Sequence, residues 1–347
     1  METRRLGSSD LDLSVLGLGT MTFGDECDEQ TSHAILDEYA AAGGRFIDTA
    51  DVYSHGVSEE IIGRWLAAHP EYEMVIATKA RFSMGEAPDE RGAGRAHLVK
   101  ALDASLRRLG VDVIDLYQMH AWDPEVPIEE TLGALDGFVK AGKVRYIGVS
   151  NYLGWHLERA VQVARREGWS EIVSLQPQYN LLAREIELDV LPAALDNGLG
   201  ILPWSPLGGG WLTGKYSQAD RPTGATRLGE DPERGVEAYD LRNNPKTWEV
   251  LAAVGSIAED HGVPMSQVAL NWLTYRPGVT SVLIGCRTLR QLAENLGSLG
   301  WDLDRHEVRR LEEVSAPGIP TYPHGFLEQS AGVDTWAKLG TRVEPPL

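Results

Sequence analysis

Residues Leu98–Tyr117 read LVKALDASLRRLGVDVIDLY, and the order of features in that stretch decides the fold. Leu98, Leu102, Leu106 and Leu109 recur every three or four residues, so they line one apolar face of a helix. Gly110 follows, where a left-handed residue ends a helix at little cost. The short apolar run Val113–Tyr117 comes next and reads as a strand. The same unit of helix, glycine and strand recurs along the chain. Leu132, Leu135, Phe138 and Val139 lead through Gly142 to Arg145–Val149, Gly43 and Gly44 precede Arg45–Thr49, and Gly198 precedes Leu199–Pro203. Adding Leu16–Gly19, Met74–Thr78, Ile172–Leu175 and Thr280–Ile284 makes eight strand runs. Strands apolar on both faces suit a parallel sheet covered by helices, either open and doubly wound or closed. Eight units favour closure, so the expectation is an α/β fold, a single (β/α)8 TIM barrel.

Outside the repeat, Thr3–Leu6 and Leu11–Val15 flank Gly7-Ser8-Ser9-Asp10 and read as a hairpin within residues 1–15 that caps one end. Two stretches break the rhythm, Phe82 to Arg95 and Gly208 to Pro245, and read either as long loops over the carboxyl-end face or as plain insertions. Residues 316–347, with Pro317, Pro320, Pro323, Pro345 and Pro346, read as an irregular tail. No linker interrupts residues 1–347, so one domain is expected. With 32 Lys and Arg against 51 Asp and Glu the formal charge is −19, which opposes binding to nucleic acid or anionic lipid. Cys27 and Cys286 are the only cysteines, too few for a disulfide scaffold or a four-thiolate metal site. With no signal-type segment and no run of ~20 apolar residues, the chain reads as soluble and cytoplasmic.

Reactive groups of a β/α barrel come from the carboxyl ends of its strands. Asp48 and Tyr53, Lys79, and His120 end or follow three successive strand runs. Singly, each has a plainer reading: a packed Tyr or His, or a simple Lys–Asp ion pair. Together they make a proton relay. A phenol with an ordinary pKa of ~10 exchanges protons poorly near neutral pH; an adjacent ammonium stabilises the phenolate, and a carboxylate fixes the ammonium. His120 near the same oxygen, as a neutral imidazole, would polarise a carbonyl.

With these residues in place, the sequence resembles the aldo/keto reductases over about residues 3 to 300. The matching stretches are Gly17-Leu18-Gly19-Thr20-Met21, Asp48 to Tyr53, Ala77-Thr78-Lys79, Asp115 to Tyr117 with His120, Gly142 to Asn151, Gln176 to Asn180, and Trp204 to Gly208. The resemblance implies that Tyr53 is the general acid of carbonyl reduction, tuned by Lys79 and Asp48, and that His120 orients the substrate. It implies a nicotinamide cofactor, NADP(H) with NAD(H) as the alternative. Its contacts would be Gly19, Thr20, Met21, Ser150, Asn151, Gln176, Trp204, Ser205, Leu207 and Gly208. Ser150, Asn151 and Gln176 would bond the carboxamide, and Trp204 either stacks on the ring or packs the barrel mouth. After the last strand, Gly285, Arg287, Gln291, Glu294 and Asn295 resemble the adenosine-phosphate site, with Arg287, or else Arg290 or Gln291, meeting a 2′-phosphate, Glu294 and Asn295 on the adenine side, and a helix amino end nearby. Cys286 departs from the small or hydroxyl residue expected there, which loosens the preference for NADP(H). Arg290 and Glu294 also read as a surface i,i+4 ion pair.

Phe23 and Trp122 are the candidate substrate-pocket residues, the substrate being a small aldehyde, ketone, sugar or alcohol. No Gly-x-Gly-x-x-Gly loop opens a Rossmann unit, and no His-x-His or His-Glu-x-x-His spacing suggests a metal. The rival function is a nicotinamide-binding regulatory subunit similar to the potassium-channel β subunits. A barrel hydrolase would need a metal cluster or carboxylate pair that the sequence lacks. Oligomeric state is left open.

Overall fold

Eight parallel strands form one sheet, each within a few residues of an expected apolar run: β3 (Leu16–Gly19), β4 (Phe46–Asp48), β5 (Val75–Ala80), β6 (Ile114–Met119), β7 (Val144–Ser150), β8 (Ile172–Gln176), β9 (Gly200–Ile201) and β10 (Val282–Ile284). Their order is β10-β3-β4-β5-β6-β7-β8-β9. Backbone bonds from the Thr280 N–H to the Ile201 carbonyl (2.9 Å) and from the Leu283 N–H to the Pro203 carbonyl (3.0 Å) join the two outer strands and close the (β/α)8 barrel. Helices intervene between strands, as in Glu29–Ala41, Val57–Ala68, Arg95–Leu109, Ile128–Lys140 and Gly154–Glu167.

This computed structural model describes residues 1–224, 226–233 and 235–331. Two compact units divide it, and the whole barrel lies in the first, made of Met1–Pro177, Asp189–Trp204 and Thr280–Leu292. The second comprises Gln178–Leu188, Ser205–Val279 and the described residues from Ala293 on. Within that second unit, the helix Pro245–His261 packs on Met265–Thr274 and Arg305–Ser315. Among the described residues no helix is long and apolar enough to cross a membrane.

The amino-terminal hairpin, β1 (Thr3–Arg5) against β2 (Asp12–Ser14), closes the amino end of the barrel. Leu6, Leu11 and Leu13 are buried in one cluster with Phe46, Ala77, Leu116, Val173, Leu202 and Leu283, which come from the barrel's strands and their flanks. Gly7 makes this close approach possible: at φ +50 it turns the hairpin, and a Cβ there would stand 2.4 Å from the Val173 carbonyl oxygen. Because side chains alternate with period two, the residue two places beyond each of these apolar contacts enters the next layer of the barrel. Beyond Phe46 comes Asp48, beyond Ala77 comes Lys79, and beyond Leu116 comes Gln118. One pleat converts an apolar floor into a reactive layer.

Between β7 and β8 the register shifts at Ile147/Gly148, and the shift brings Ser150 opposite Gln176. Gly148 permits the close packing there, since a Cβ would lie 2.2 Å from the Ser174 hydroxyl.

Of the two stretches outside the repeat, Phe82 to Arg95 holds only the short turn Pro88–Glu90. Gly208 to Pro245 is less irregular than its composition suggests. It contains helical turns at Gly208–Thr213, Arg227–Glu230, Gly235–Glu237 and Tyr239–Arg242. These are too short for an amphipathic period to declare itself. The tail expectation is also corrected where it is described. Thr321–Gly325, with Pro320 before it and Pro323 within it, forms a helical turn and Phe326–Ala331 a short helix, whose proline-free residues keep their N–H donors. Pro345 and Pro346 lie outside the described residues.

Candidate active site

Lys79 Nζ is the centre of the reactive layer. It is fully buried and donates to Asp48 Oδ1 (2.5 Å), the Thr49 carbonyl (2.7 Å) and Tyr53 Oη (3.3 Å). An ammonium has three donors, and all three are used. Burial alone would push Lys79 down, but the charge of Asp48 and the bonds to Asp48 and Tyr53 outweigh it and hold the ammonium above its ordinary range. Asp48 is fixed from its other side: Oδ2 accepts from Gln118 Nε2 (3.0 Å) and Gln176 Nε2 (2.8 Å). A buried ion pair stays ionised only when its remaining lone pairs are satisfied, and these two amides satisfy them.

Tyr53 begins a tight turn after β4 whose next two residues, Ser54 (φ 48) and His55 (φ 52), are left-handed without being glycine. Such strain persists only where packing over-determines it, and it gathers at functional sites. Ser54 Oγ anchors the turn by donating to the Phe23 carbonyl at 2.8 Å. Arg81 (φ 138) after β5 and Asn151 (φ 56) beyond β7 repeat the pattern within the same unit.

His120 follows β6. Its ring meets Tyr53 edge-on at 5.8 Å and Phe82 at 4.6 Å. Burial, with Lys79 and Arg81 adding to it, holds the imidazole well below its ordinary pKa and therefore neutral. Its Nδ1 is buried without a hydrogen-bond partner among the described residues. All four residues expected to do chemistry are thus brought together.

The expected carboxamide readers form a second network in the same unit. Ser150 Oγ donates to the Gln176 carbonyl (2.8 Å), and Asn151 Nδ2 donates to the His120 carbonyl (2.9 Å) and Ser150 Oγ (3.0 Å). Trp204 Nε1 donates to Asn151 Oδ1 at 3.1 Å. Gly19 and Met21 are partly exposed, whereas Thr20 is fully buried and spends its hydroxyl on the Asp48 carbonyl (3.0 Å). Phe23 is also fully buried, and Trp122 stacks on His156 at 4.2 Å. After β10, Gly285 and Gln291 are exposed, and Arg287 Nε donates to Glu26 Oε2 at 2.7 Å.

In the second unit, Ser205 (φ 52) donates from Oγ to Glu237 Oε1 (3.1 Å) and accepts from the Gly209 N–H (3.2 Å). Gly208 and Asn295 are buried there; Leu207 and Glu294 are partly exposed.

Sequence reasoning missed Gln118, although it is a polar residue in an otherwise apolar strand, two places before His120. It also missed Asp51, which is fully buried with neither carboxylate oxygen hydrogen-bonded among the described residues. Glu26 it could not have found, because only the fold brings residue 26 to residue 287.

A lysine–aspartate pair is buried beside a tyrosyl hydroxyl, with a neutral histidine next to it, at the carboxyl end of a β/α barrel. The family model for the aldo/keto reductase family matches residues 15–316. The chain belongs to that oxidoreductase family. It is 36% identical to the Bacillus subtilis oxidoreductase YrpG over 92% of this chain and 98% of that protein. It is 34% identical to the versiconal hemiacetal acetate reductase of Aspergillus parasiticus, over 91% and 98%. At 34% it also resembles a probable voltage-gated potassium channel β subunit of rice, over 86% and 91%.

Proposed function

We propose that this chain is a nicotinamide-dependent carbonyl reductase that converts an aldehyde or ketone to the alcohol, reversibly, with NADP(H) as its main cofactor. The family match from residue 15 to 316 supports reading the chain as one barrel domain, and two free buried thiols suit the cytoplasm. Three features fit a nicotinamide dinucleotide. Ser150, Asn151 and Gln176 offer hydroxyl and amide groups matched to a carboxamide. Trp204 offers a partly exposed aromatic face beside them. Gly285 has open space where a Cβ would stand, so a ligand can approach its backbone.

When bound, the cofactor supplies or receives a hydride at the substrate carbon. The chain's own residues handle the oxygen. His120, neutral, donates a hydrogen bond to the carbonyl and aims it; Tyr53 Oη delivers the proton. Lys79, 3.3 Å from that oxygen, stabilises the charge left on it, and Asp48 holds Lys79 in place. In the reverse direction Tyr53 takes the proton from the alcohol.

The observation that carries this reading is the Lys79–Tyr53 contact. Tyr53→Phe removes the donor and keeps the ring, so turnover is expected to fall by about 10²–10⁴. NADPH affinity, read by tryptophan fluorescence, should stay within about twofold. Retained turnover, or nucleotide affinity lost in parallel, overturns the assignment. The relatives named as channel β subunits favour a second reading, a nicotinamide-binding regulatory subunit built on the same site. NADPH oxidation measured across aldehydes, ketones and sugars separates the two, because rapid turnover with any of them favours the enzyme.

A further inference from the structure

The stretch Thr22–Cys27 is a tight turn, closed by bonds from the Cys27 N–H to the Thr22 carbonyl (2.9 Å) and from the Gly24 N–H to the Cys27 carbonyl (2.8 Å). It is stitched to the loop after β10 at consecutive points. Thr22 Oγ1 donates to the Cys286 carbonyl (3.1 Å), Cys27 Sγ reaches the same oxygen (3.7 Å), and Glu26 Oε2 accepts from Arg287 Nε (2.7 Å). The side chains of Glu26 and Arg287 are only 11% and 20% exposed, so this ion pair is built into the fold rather than loose on its surface. The backbone N–H of Arg287 is also engaged, by Gln291 Oε1 at 2.7 Å. The two groups of Arg287 that would meet a phosphate are therefore both in contact with protein oxygens, one charged and one neutral.

We infer that Glu26 sets cofactor specificity: seated on the Arg287 guanidinium, it opposes a ribose 2′-phosphate and narrows the advantage of NADP(H) over NAD(H). The inference rests on the reading above that this chain binds a nicotinamide dinucleotide with Arg287 facing the 2′-position. Gln291, being neutral, exchanges its bond for a ligand oxygen without charge repulsion. Glu26 cannot. Two unit negative charges about 6 Å apart in water-like surroundings repel by a factor of roughly 3 in affinity. A phosphate approaching two charges then loses about 10-fold to Glu26. A ligand ending in a 2′-hydroxyl meets no such penalty.

The test is calorimetric binding of adenosine 2′,5′-bisphosphate and adenosine 5′-monophosphate to the full chain, wild type against Glu26→Gln. The variant is expected to bind the bisphosphate about 10-fold more tightly and the monophosphate unchanged. If Glu26→Gln loses its fold, Glu26→Asp, which draws the carboxylate back by one methylene, should shift the bisphosphate in the same direction. Unchanged bisphosphate affinity overturns the inference, and weakened affinity overturns it by making Glu26 the residue that aims Arg287. If NADPH and both nucleotides fail to bind the wild type, the dinucleotide reading falls and this inference falls with it.

Discussion

Asp51 stands two residues before Tyr53, and its N–H donates to the Lys79 carbonyl (3.0 Å), so it shares the scaffold that carries both residues. Its carboxyl is fully buried, and neither oxygen has a hydrogen-bond partner among the described residues. Burial, with the charge of Glu59 adding to it, raises it from 3.8 to about 7, against the opposing pull of the Val52 amide, Arg108 and Lys79. Native protein thus keeps this proton to about pH 7, while the unfolded chain releases it near pH 4. Between those values the native state binds more protons than the unfolded one, so this residue's contribution to stability declines as pH rises and levels off above pH 7. From pH 5 to pH 8 the loss is ~3 kcal/mol, at ~1.4 kcal/mol per decade of proton affinity. Asp51→Asn cannot titrate. The stability of Asp51→Asn relative to wild type should therefore rise by ~3 kcal/mol over that range, whatever the fixed cost of the amide. Urea unfolding followed by circular dichroism at four pH values reads it directly. A gap constant to within about 0.5 kcal/mol means that Asp51 is ionised in the native protein, and the reasoning fails.

Two further expectations concern other buried charges. Glu187, fully buried in the second unit, accepts from Arg184 Nε (2.9 Å) and Nη2 (2.9 Å) and from Tyr179 Oη (2.5 Å), and pairs with Arg276 (3.5 Å). Glu187→Gln removes the carboxylate shared by two buried guanidiniums, although Arg276 keeps Glu312, and should cost ~3–5 kcal/mol, seen as a lowered melting temperature; a shift within a degree contradicts that account. His120 is expected to show no ring titration by NMR between about pH 6 and pH 9, since burial, Lys79 and Arg81 keep it neutral. A midpoint near the ordinary 6.5 ends its assignment as a neutral donor.

Legibility followed sequence distance. The strand runs and the glycine-closed helices were readable because their signals are local: period, apolarity and a left-handed stop. Asp48, Lys79, Tyr53 and His120 were readable because barrel architecture assigns strand ends to one rim, so their chain positions already implied proximity. What stayed hidden depended on register. That Gln118 and Gln176 both reach Asp48 Oδ2 follows from the parallel pairing of β5 with β6 and from the shift between β7 and β8, neither of which any window of sequence specifies. The short helical turns of Gly208 to Pro245 escaped for the opposite reason, being too brief to carry a period at all.

The division between hidden and legible residues bears on how the site works. The layer of Asp48 and Lys79 is tightly held: both charges are hydrogen-bonded within strands that also carry the apolar floor, or within the residues that follow them. The groups proposed to meet the dinucleotide are organised differently. Ser150, Asn151, Trp204 and Arg287 bond to protein oxygens. Binding there is an exchange of hydrogen bonds, worth little net for each pair exchanged. Discrimination between two cofactors then comes less from the number of bonds a ligand makes than from the charge of the oxygen it confronts. Of these four groups Arg287 is the one bonded to a carboxylate, and on the inference drawn above that is how a single side chain from the loop after β3 would bias the choice of cofactor.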